Sequence, residues 1–345
     1  MKLERYRLAK DPPLSEDYLY RYELLHERFD YRPYDDDVWR LRAQTLDVMD
    51  TKRADRGQLA DILYDYNKKL GNDEAALQAA RSLAEEPSLV VIGGQQAGLF
   101  TGPLMVVYKA ITIIQTAQMA EKVLARPVIP VFWIAGEDHD FSEVDHLYWA
   151  TPEWKVEKLR VEAGQSGKMP VSAVEIVPEE WDRMLAEMRA LSRETEFTAA
   201  LFKQLGEFSA HSHTLVDLFG RMLAWLFGKY GLVLMDSADP ALRRLESPMM
   251  EWLVRHAEPL SEQFMAGSVA VHTLGYDSQA QTEANSANLF ILQHGERIPL
   301  IKNEGRFSDR NENDVWTEEQ LADIAQTEPE RLSNNVLTRP LMQEY

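Results

Sequence analysis

A chain of 345 residues without a single cysteine is long enough for one large α/β unit or two domains, and it excludes disulfides, thiolate zinc sites and cysteine nucleophiles. Its formal net charge of −19, with 56 acidic residues spread along the sequence, repels phosphate backbones and anionic headgroups and argues against nucleic acid or a membrane surface as a partner. The opening MKLERYRLAKDPP lacks the apolar core of a signal peptide, and no stretch approaches the roughly 18 apolar residues of a membrane span, so a cytoplasmic protein is expected.

Residues 1–87 are charge-rich. Between Val38 and Leu83 the apolar positions recur at helical intervals, as in LADILYDYNKKL, which predicts a helical lead-in. A strand over Leu89–Ile92, a loop over Gly93–Gly102 and a helix opened by Pro103 follow, and Val128–Ile134 forms a second apolar run. Strand, helix, strand within about 45 residues is the βαβ pattern of a parallel sheet. Residues 88–150 thus read as the first half of a Rossmann-like core and 151–195 as an insertion holding a helix near Trp181–Leu191. Residues 196–270 read as the second half, with a long amphipathic segment over Phe197–Phe227 and a third strand, Leu232–Met235, before DSADPALRRLE. Residues 271–345 hold a hairpin, NLFILQHGERIPLIK, turning at His294 and Gly295, and an acidic helix from about Thr317.

Ligands of open α/β sheets bind at the carboxyl ends of the strands, so three polar loops are expected to converge there: Gly93–Gly102, Ala135–Phe141 and Asp236–Pro240. In the first, Gly93, Gly94 and Gly102 let backbone approach a ligand. Thr101 or Gly102 is expected to cap a helix whose free N–H groups attract phosphate or carboxylate. Gln95 and Gln96 offer amide hydrogen bonds, and Lys109 adds a cation if its side chain points back toward the loop. A plain tight turn is the competing reading. In the second loop, AGEDHDF, three carboxylates crowd one imidazole: Glu137, Asp138 and Asp140 around His139. Crowding after an apolar strand is expected to raise carboxyl pKa values and to hold His139 protonated, suiting acid–base chemistry or cation binding, against the alternative of one helix cap and solvated neighbours. His146 is a weak metal candidate, and no metal site is assigned. His211 and His213 read as surface or packing residues within a helix. Asp236 is a candidate polar contact, although Asp239 before Pro240 is an ordinary helix start.

The stretches GGQQAGLFTGPLMVVYKA and PVIPVFWIAGEDHDFSEVDH, with GLVLMDSADPALRRLE, ANLFIL and LSNNVLTRPLMQEY further on, resemble the bacillithiol biosynthesis cysteine-adding enzyme family, the cysteine ligases of that pathway. The resemblance runs from about Phe29 to the last residue. It implies a Rossmann-like nucleotide-binding core with inserted connecting-peptide-like segments, and an enzyme that joins cysteine to glucosaminyl-malate. The family is similar to class I cysteinyl-tRNA synthetases and the mycothiol cysteine ligase, in which ATP activates the cysteine carboxylate as an acyl-adenylate that an amine attacks. It further implies a homodimer through a C-terminal coiled coil, which is not in this sequence, so that the chain reads as a fragment. The His-x-Gly-His and Lys-Met-Ser-Lys-Ser segments of the synthetases are absent: Thr101, Gly102 and Pro103 stand at the helix start, and a cysteine-built zinc site is impossible. The expectation is that Asp138, His139 and Asp140 polarise or deprotonate the attacking amine and that Gly93, Gly94, Gln95, Gln96, Thr101, Gly102 and Lys109 hold phosphate or carboxylate. Arg339 is expected to hold a carboxylate such as malate. A nucleotidylyltransferase on another small substrate and a nucleotide- or sugar-acid-binding module without chemistry are the alternatives.

Overall fold

The computed structural model describes residues 12–35, 37–49, 53–85, 87–164, 167–278, 280, 283, 285–310 and 313–345; the expectation about residues 1–11 lies outside them. Ten strands are described: β1 (Leu89–Gln95), β2 (Val128–Ile134), β3 (His146–Ala150), β4 (Val156–Arg160), β5 (Val233–Asp236), β6 (Ser286–Gln293), β7 (Glu296–Asn303), β8 (Arg306–Ser308), β9 (Val315–Thr317) and β10 (Leu332–Asn334). They form a parallel sheet in the order β1-β2-β5, an antiparallel sheet in the order β10-β6-β7-β8-β9, and the hairpin β3-β4.

The parallel sheet is the Rossmann-like element expected from the sequence, and its central strand shows why. All seven residues of β2, VIPVFWI, are buried, which is the continuous apolar pattern of a strand covered on both faces. One face, with Phe132, Ile134 and Leu234, packs on the helices Leu104–Leu124 and Leu215–Phe227. The other, with Val131, Trp133, Val233 and Met235, shares a core with helix Arg56–Leu70, helix Ser247–Arg255 and the antiparallel sheet through Leu289, Ile291 and Phe307. The open edge of β5 is closed by a side chain. Buried Asn67 donates to Leu234 O at 2.8 Å and accepts from Leu234 N at 2.9 Å, while Asn72 donates to Leu232 O at 3.1 Å. Helix Arg56–Leu70 thereby pairs the edge as a strand would, removing an aggregation-prone ladder.

Several boundaries differ from expectation. β1 continues to Gln95, so Gly93 and Gly94 lie in the ladder opposite Phe132 and Trp133, not in a loop. Gly94 is required by close approach: a Cβ there would meet the Trp133 carbonyl oxygen at 2.1 Å. The segment Phe197–Phe227 is two helices, Thr198–Ala210 and Leu215–Phe227. His211 closes the first and Thr214 caps the second, so His211 and His213 occupy the break and not a helix. The hairpin turns at His294 and Gly295 with both residues in the left-handed region, the I′ geometry that suits strand twist. The acidic helix is Glu318–Thr327, with a capping box between Thr317 and Gln320.

Candidate active site

Register brings the three strand ends level: Gln95 lies opposite Ile134, and Ile134 opposite Asp236. The segment beyond each strand then decides the site. After β2 the chain turns sharply at Gly136, where a Cβ would lie 2.2 Å from Asp236 Oδ1. The loop beyond is held by a segment of the insertion: Val171 N donates to Asp138 O at 2.7 Å and Ser172 N to Gly136 O at 3.0 Å. Asp138 Oδ1 accepts from the backbone of His139 at 2.8 Å and of Asp140 at 3.4 Å, and Oδ2 accepts from Gln96 Nε2 at 2.8 Å. The same Gln96 nitrogen reaches Glu143 Oε2 at 2.9 Å, tying the first loop to the second.

A cavity of about 670 Å³ opens at this edge, lined by Gly94, Gln95, Gln96, Lys109, Trp133, Ala135 and Asp138 on the parallel-sheet side. Lys109 does point back: its Nζ donates to Gln95 Oε1 at 2.6 Å. The opposite wall comes from the C-terminal quarter of the chain, with Phe290, Arg297, Asn335, Val336, Arg339 and Gln343. β10 ends in a turn where Asn335 Oδ1 accepts from the backbone of Leu337 and Thr338 at 2.9 and 3.0 Å, starting helix Arg339–Glu344 beside the cavity. Arg339 Nη2 reaches the buried carboxylate of Glu137 at 3.2 Å, while Arg339 Nε and Glu137 Oε2 are buried without a partner among the described residues.

Arg297 is the residue that sequence reasoning missed. It is 6% exposed; its Nε donates to Ser333 Oγ at 2.9 Å, its Nη2 to Asn334 O at 2.8 Å, and its plane lies 3.7 Å from the centre of the Phe290 ring. Its Nη1 faces His139 Nδ1 at 3.2 Å. Its register, shared with Pro299 and Ile301, is the face of β7 opposite the core residues Ile298 and Leu300, so the apolar pattern of the strand gave no signal for it. Phe290, Asn335 and Glu143 were missed as well, each meeting the site only through the tertiary fold.

The electrostatics reverse the expectation for AGEDHDF. Burial and the nearby Arg297 hold His139 below its ordinary pKa, outweighing Asp138 and Asp140, so it is neutral and not protonated at neutral pH. Burial alone would raise Asp138, but the hydrogen bond from Gln96, the backbone N–H groups and Arg297 together bring its carboxyl below the ordinary value. The crowding argument failed because the carboxylates point apart: Asp140 is exposed and bonded to Ser142, and Glu137 turns inward to Arg339. Arg297 is brought down to about 10 by burial and stays charged at neutral pH.

The glycine-rich loop also differs from its expected role. Ala97–Thr101 is buried, and Leu99–Thr101 forms a 3-10 turn with Phe100, Thr101 and Gly102 at positive φ. The helix begins at Leu104 with Pro103 as its cap, and no side chain caps it. Thr101 and Gly102 lie off the cavity, Gly93 packs against Ile113, and Lys109 alone represents this helix in the lining. The cations on the cavity are the side chains of Lys109, Arg297 and Arg339. Asp236 is 7% exposed and is not among the residues lining the cavity, its Oδ1 accepting from Ala238 N at 3.0 Å, and burial lifts it to about 7. Asp239 caps its helix through Ala241 N and Leu242 N. His146 pairs with Asp145 at 2.9 Å, and no cluster of three or more metal-ligating side chains occurs among the described residues.

The family model for the bacillithiol biosynthesis BshC N-terminal Rossmann-like domain matches residues 1–345. The chain belongs to the BshC family. Relatives named "Putative cysteine ligase BshC" from Bacillus cereus (strain Q1), Bacillus thuringiensis (strain Al Hakam) and Bacillus anthracis (strain CDC 684 / NRRL 3495) are each 35% identical over 329 residues, 95% of this chain. The chain spans 60% of the length of these BshC relatives. No described helix is long and apolar enough to cross a membrane.

Proposed function

We propose that this domain carries the cysteine-adding step of bacillithiol biosynthesis, joining the carboxylate of cysteine to the amine of glucosaminyl-malate. The observation that supports this most is the polarity of the cavity. Lys109, Arg297 and Arg339 are present on it, and Asp138 faces it from the end of β2, backed by Gln96 and Glu143. Such a space suits substrates that bring both carboxylate and amine groups, in a chain whose net charge of −19 gives small anions little other place to bind. Arg339, on the cavity wall with a partly exposed side chain, is the cation we assign to a malate carboxylate.

ATP, which the resemblance implies, would supply the activation of the cysteine carboxylate, and Lys109 is the cation on the cavity that fits its phosphates, Arg297 being held by its own contacts. The chain's own part is to bind, orient and deprotonate. Asp138 is ionised at neutral pH and attracts the glucosamine ammonium; an ammonium cannot attack an acyl carbon, so one proton must pass to a neighbouring base before the C–N bond forms. The bond from the carbonyl carbon to its activating group then breaks. A cytoplasmic setting, where thiols stay reduced, fits a free cysteine substrate.

Incubating the chain with cysteine, glucosaminyl-malate and ATP, with product read by mass spectrometry, tests the reading. Bacillithiol formed by the parent and lost in Asp138→Asn and Arg339→Met supports it; product from both variants at the parent rate removes the site assignment.

A further inference from the structure

Arg297 and His139 meet in a way that fixes where a proton sits. A guanidinium has five donors and no acceptor, and Arg297 remains charged at neutral pH. Its Nη1 lies 3.2 Å from His139 Nδ1, within hydrogen-bond distance. Only a nitrogen lone pair can receive that contact, so Nδ1 carries no proton. Arg297 itself has no freedom to retreat: Ser333 holds its Nε and Asn334 O its Nη2, and its guanidinium carbon rests 3.7 Å from the centre of the Phe290 ring. The Phe290 ring also lies 6.0 Å from the imidazole, walling the same side.

We infer that Arg297 is a positioning residue that fixes His139 as the neutral tautomer protonated on Nε2, so that His139 serves the reaction as a hydrogen-bond donor and not as its base. With the Nδ1 lone pair taken and Nε2 already protonated, the ring has no free site for an amine proton. The other charged groups around the ring are Asp138 and Asp140, which favour a second proton, and Lys168, which with Arg297 and burial opposes it. The functional consequence rests on the ligase reading. His139 is not itself among the residues lining the cavity but contacts Arg297 and Phe290, which are, and from Nε2 it donates to an oxygen that gains charge as the amine attacks, the role of a neutral electrophilic imidazole. The amine proton then goes to the Asp138 carboxylate, which lines the cavity.

Long-range ¹H–¹⁵N NMR of the ¹⁵N-labelled chain reads the tautomer without any activity, with the His139 signals assigned by their loss in His139→Gln. A protonated Nε2 with an unprotonated Nδ1 is expected, staying so near pH 6.5, where ordinary histidines are half protonated. Arg297→Met should bring a tautomer mixture and easier protonation, and Arg297→Lys, which keeps a donor, should restore part of the parent pattern. A proton on Nδ1, or an imidazolium at pH 7, in the parent overturns the inference even if every Arg297 variant fails to fold. In the bacillithiol assay His139→Gln, which retains a donor, should fall by less than about tenfold, and His139→Ala by about 100-fold or more. Equal losses with the NMR pattern as expected would remove the donor role, while absence of product from the parent would remove the ligase reading and leave the tautomer standing.

Discussion

The two walls of the cavity are built from different kinds of sheet. The wall from the parallel sheet places its residues by local continuity: Gln95 and Gln96 come directly off β1, Asp138 comes directly off β2, and Lys109 sits on the helix between those strands. The wall from the antiparallel sheet places Arg297 and Arg339 by long-range packing, with Arg297 meeting a residue 158 positions away and Arg339 one 202 positions away. The first wall is fixed by ladder register, the second by buried polar contacts. Their failure modes should therefore differ: damage to the first should spread through the fold, and damage to the second should concentrate in the chemistry.

The largest effect on the comparison is expected from Arg297→Met. It removes donors from Ser333, Asn334 O and His139 Nδ1 together, and leaves a methionine on Phe290. Product formation should fall by about 1,000-fold, roughly 4 kcal/mol of barrier, with thermal unfolding still cooperative. A loss of under tenfold would mean that the long-range wall contributes shape alone.

Gly94→Ala attacks the other wall. The added methyl would sit 2.1 Å from the Trp133 carbonyl oxygen and 2.8 Å from its Cβ, and neither can move without parting β1 from β2. A cost of about 3 kcal/mol is expected in urea unfolding. Gly164→Ala, where nothing lies within 4 Å of the added carbon, is the control and should leave the midpoint unmoved. Equal midpoints in the two variants would mean that β1 and β2 can part at Gly94 without loss.

Legibility in the sequence divides the same way. The three parallel strands announce themselves as apolar runs, and the β6–β7 hairpin announces itself through His294 and Gly295, because each signal is confined to a few neighbouring residues. Lys109 was readable for a similar reason, since helical side chains lean toward the N-terminus of their helix. The role given to Thr101 and Gly102 rests on the glycines and on a helix start expected there, whereas the helix begins at Leu104. It missed that Leu99 and Phe100, apolar and adjacent, pull the loop into the core. The protonation of His139 was misread because four adjacent letters, EDHD, say nothing of where the side chains point. Glu137 turns to Arg339 and the imidazole to Arg297, both supplied from beyond residue 290. The segment near Val171 that clamps the Asp138 loop is likewise invisible locally, since its contacts are backbone hydrogen bonds that any residue but proline could make.

Lys109→Met should produce a smaller change. The cation donates to Gln95 and sits on the cavity, so its removal weakens binding of a small dicarboxylate such as malate by about tenfold, roughly 1.4 kcal/mol. Titration calorimetry at low salt would measure it, and added salt should narrow the difference between parent and variant. Unchanged malate affinity would assign anion holding to the arginine wall alone.

The smallest expected effect lies at buried Asp236, off the cavity, and appears only with pH. Burial first, with Glu137 and Asp239 adding to it, raises this carboxyl from 3.8 to about 7, while the N–H of Ala238 and Arg243 oppose the shift. The folded chain therefore binds more protons than the unfolded chain between about pH 4 and pH 7. The stability carried by the protonated form is complete below the unfolded value near 3.9 and is lost as pH rises through about 7. Asp236→Asn keeps the oxygen that accepts from Ala238 and cannot ionise, so its stability relative to the parent should rise from pH 5 to pH 8. The full shift would correspond to about 4 kcal/mol at 1.36 kcal/mol per unit, an upper bound because the surroundings of a buried charge relax when it ionises, and about 1 kcal/mol is expected. Thermal unfolding across that pH range reads the difference directly. A gain at pH 5 equal to that at pH 8 would show that the variant profits from its new amide donor and not from loss of the charge.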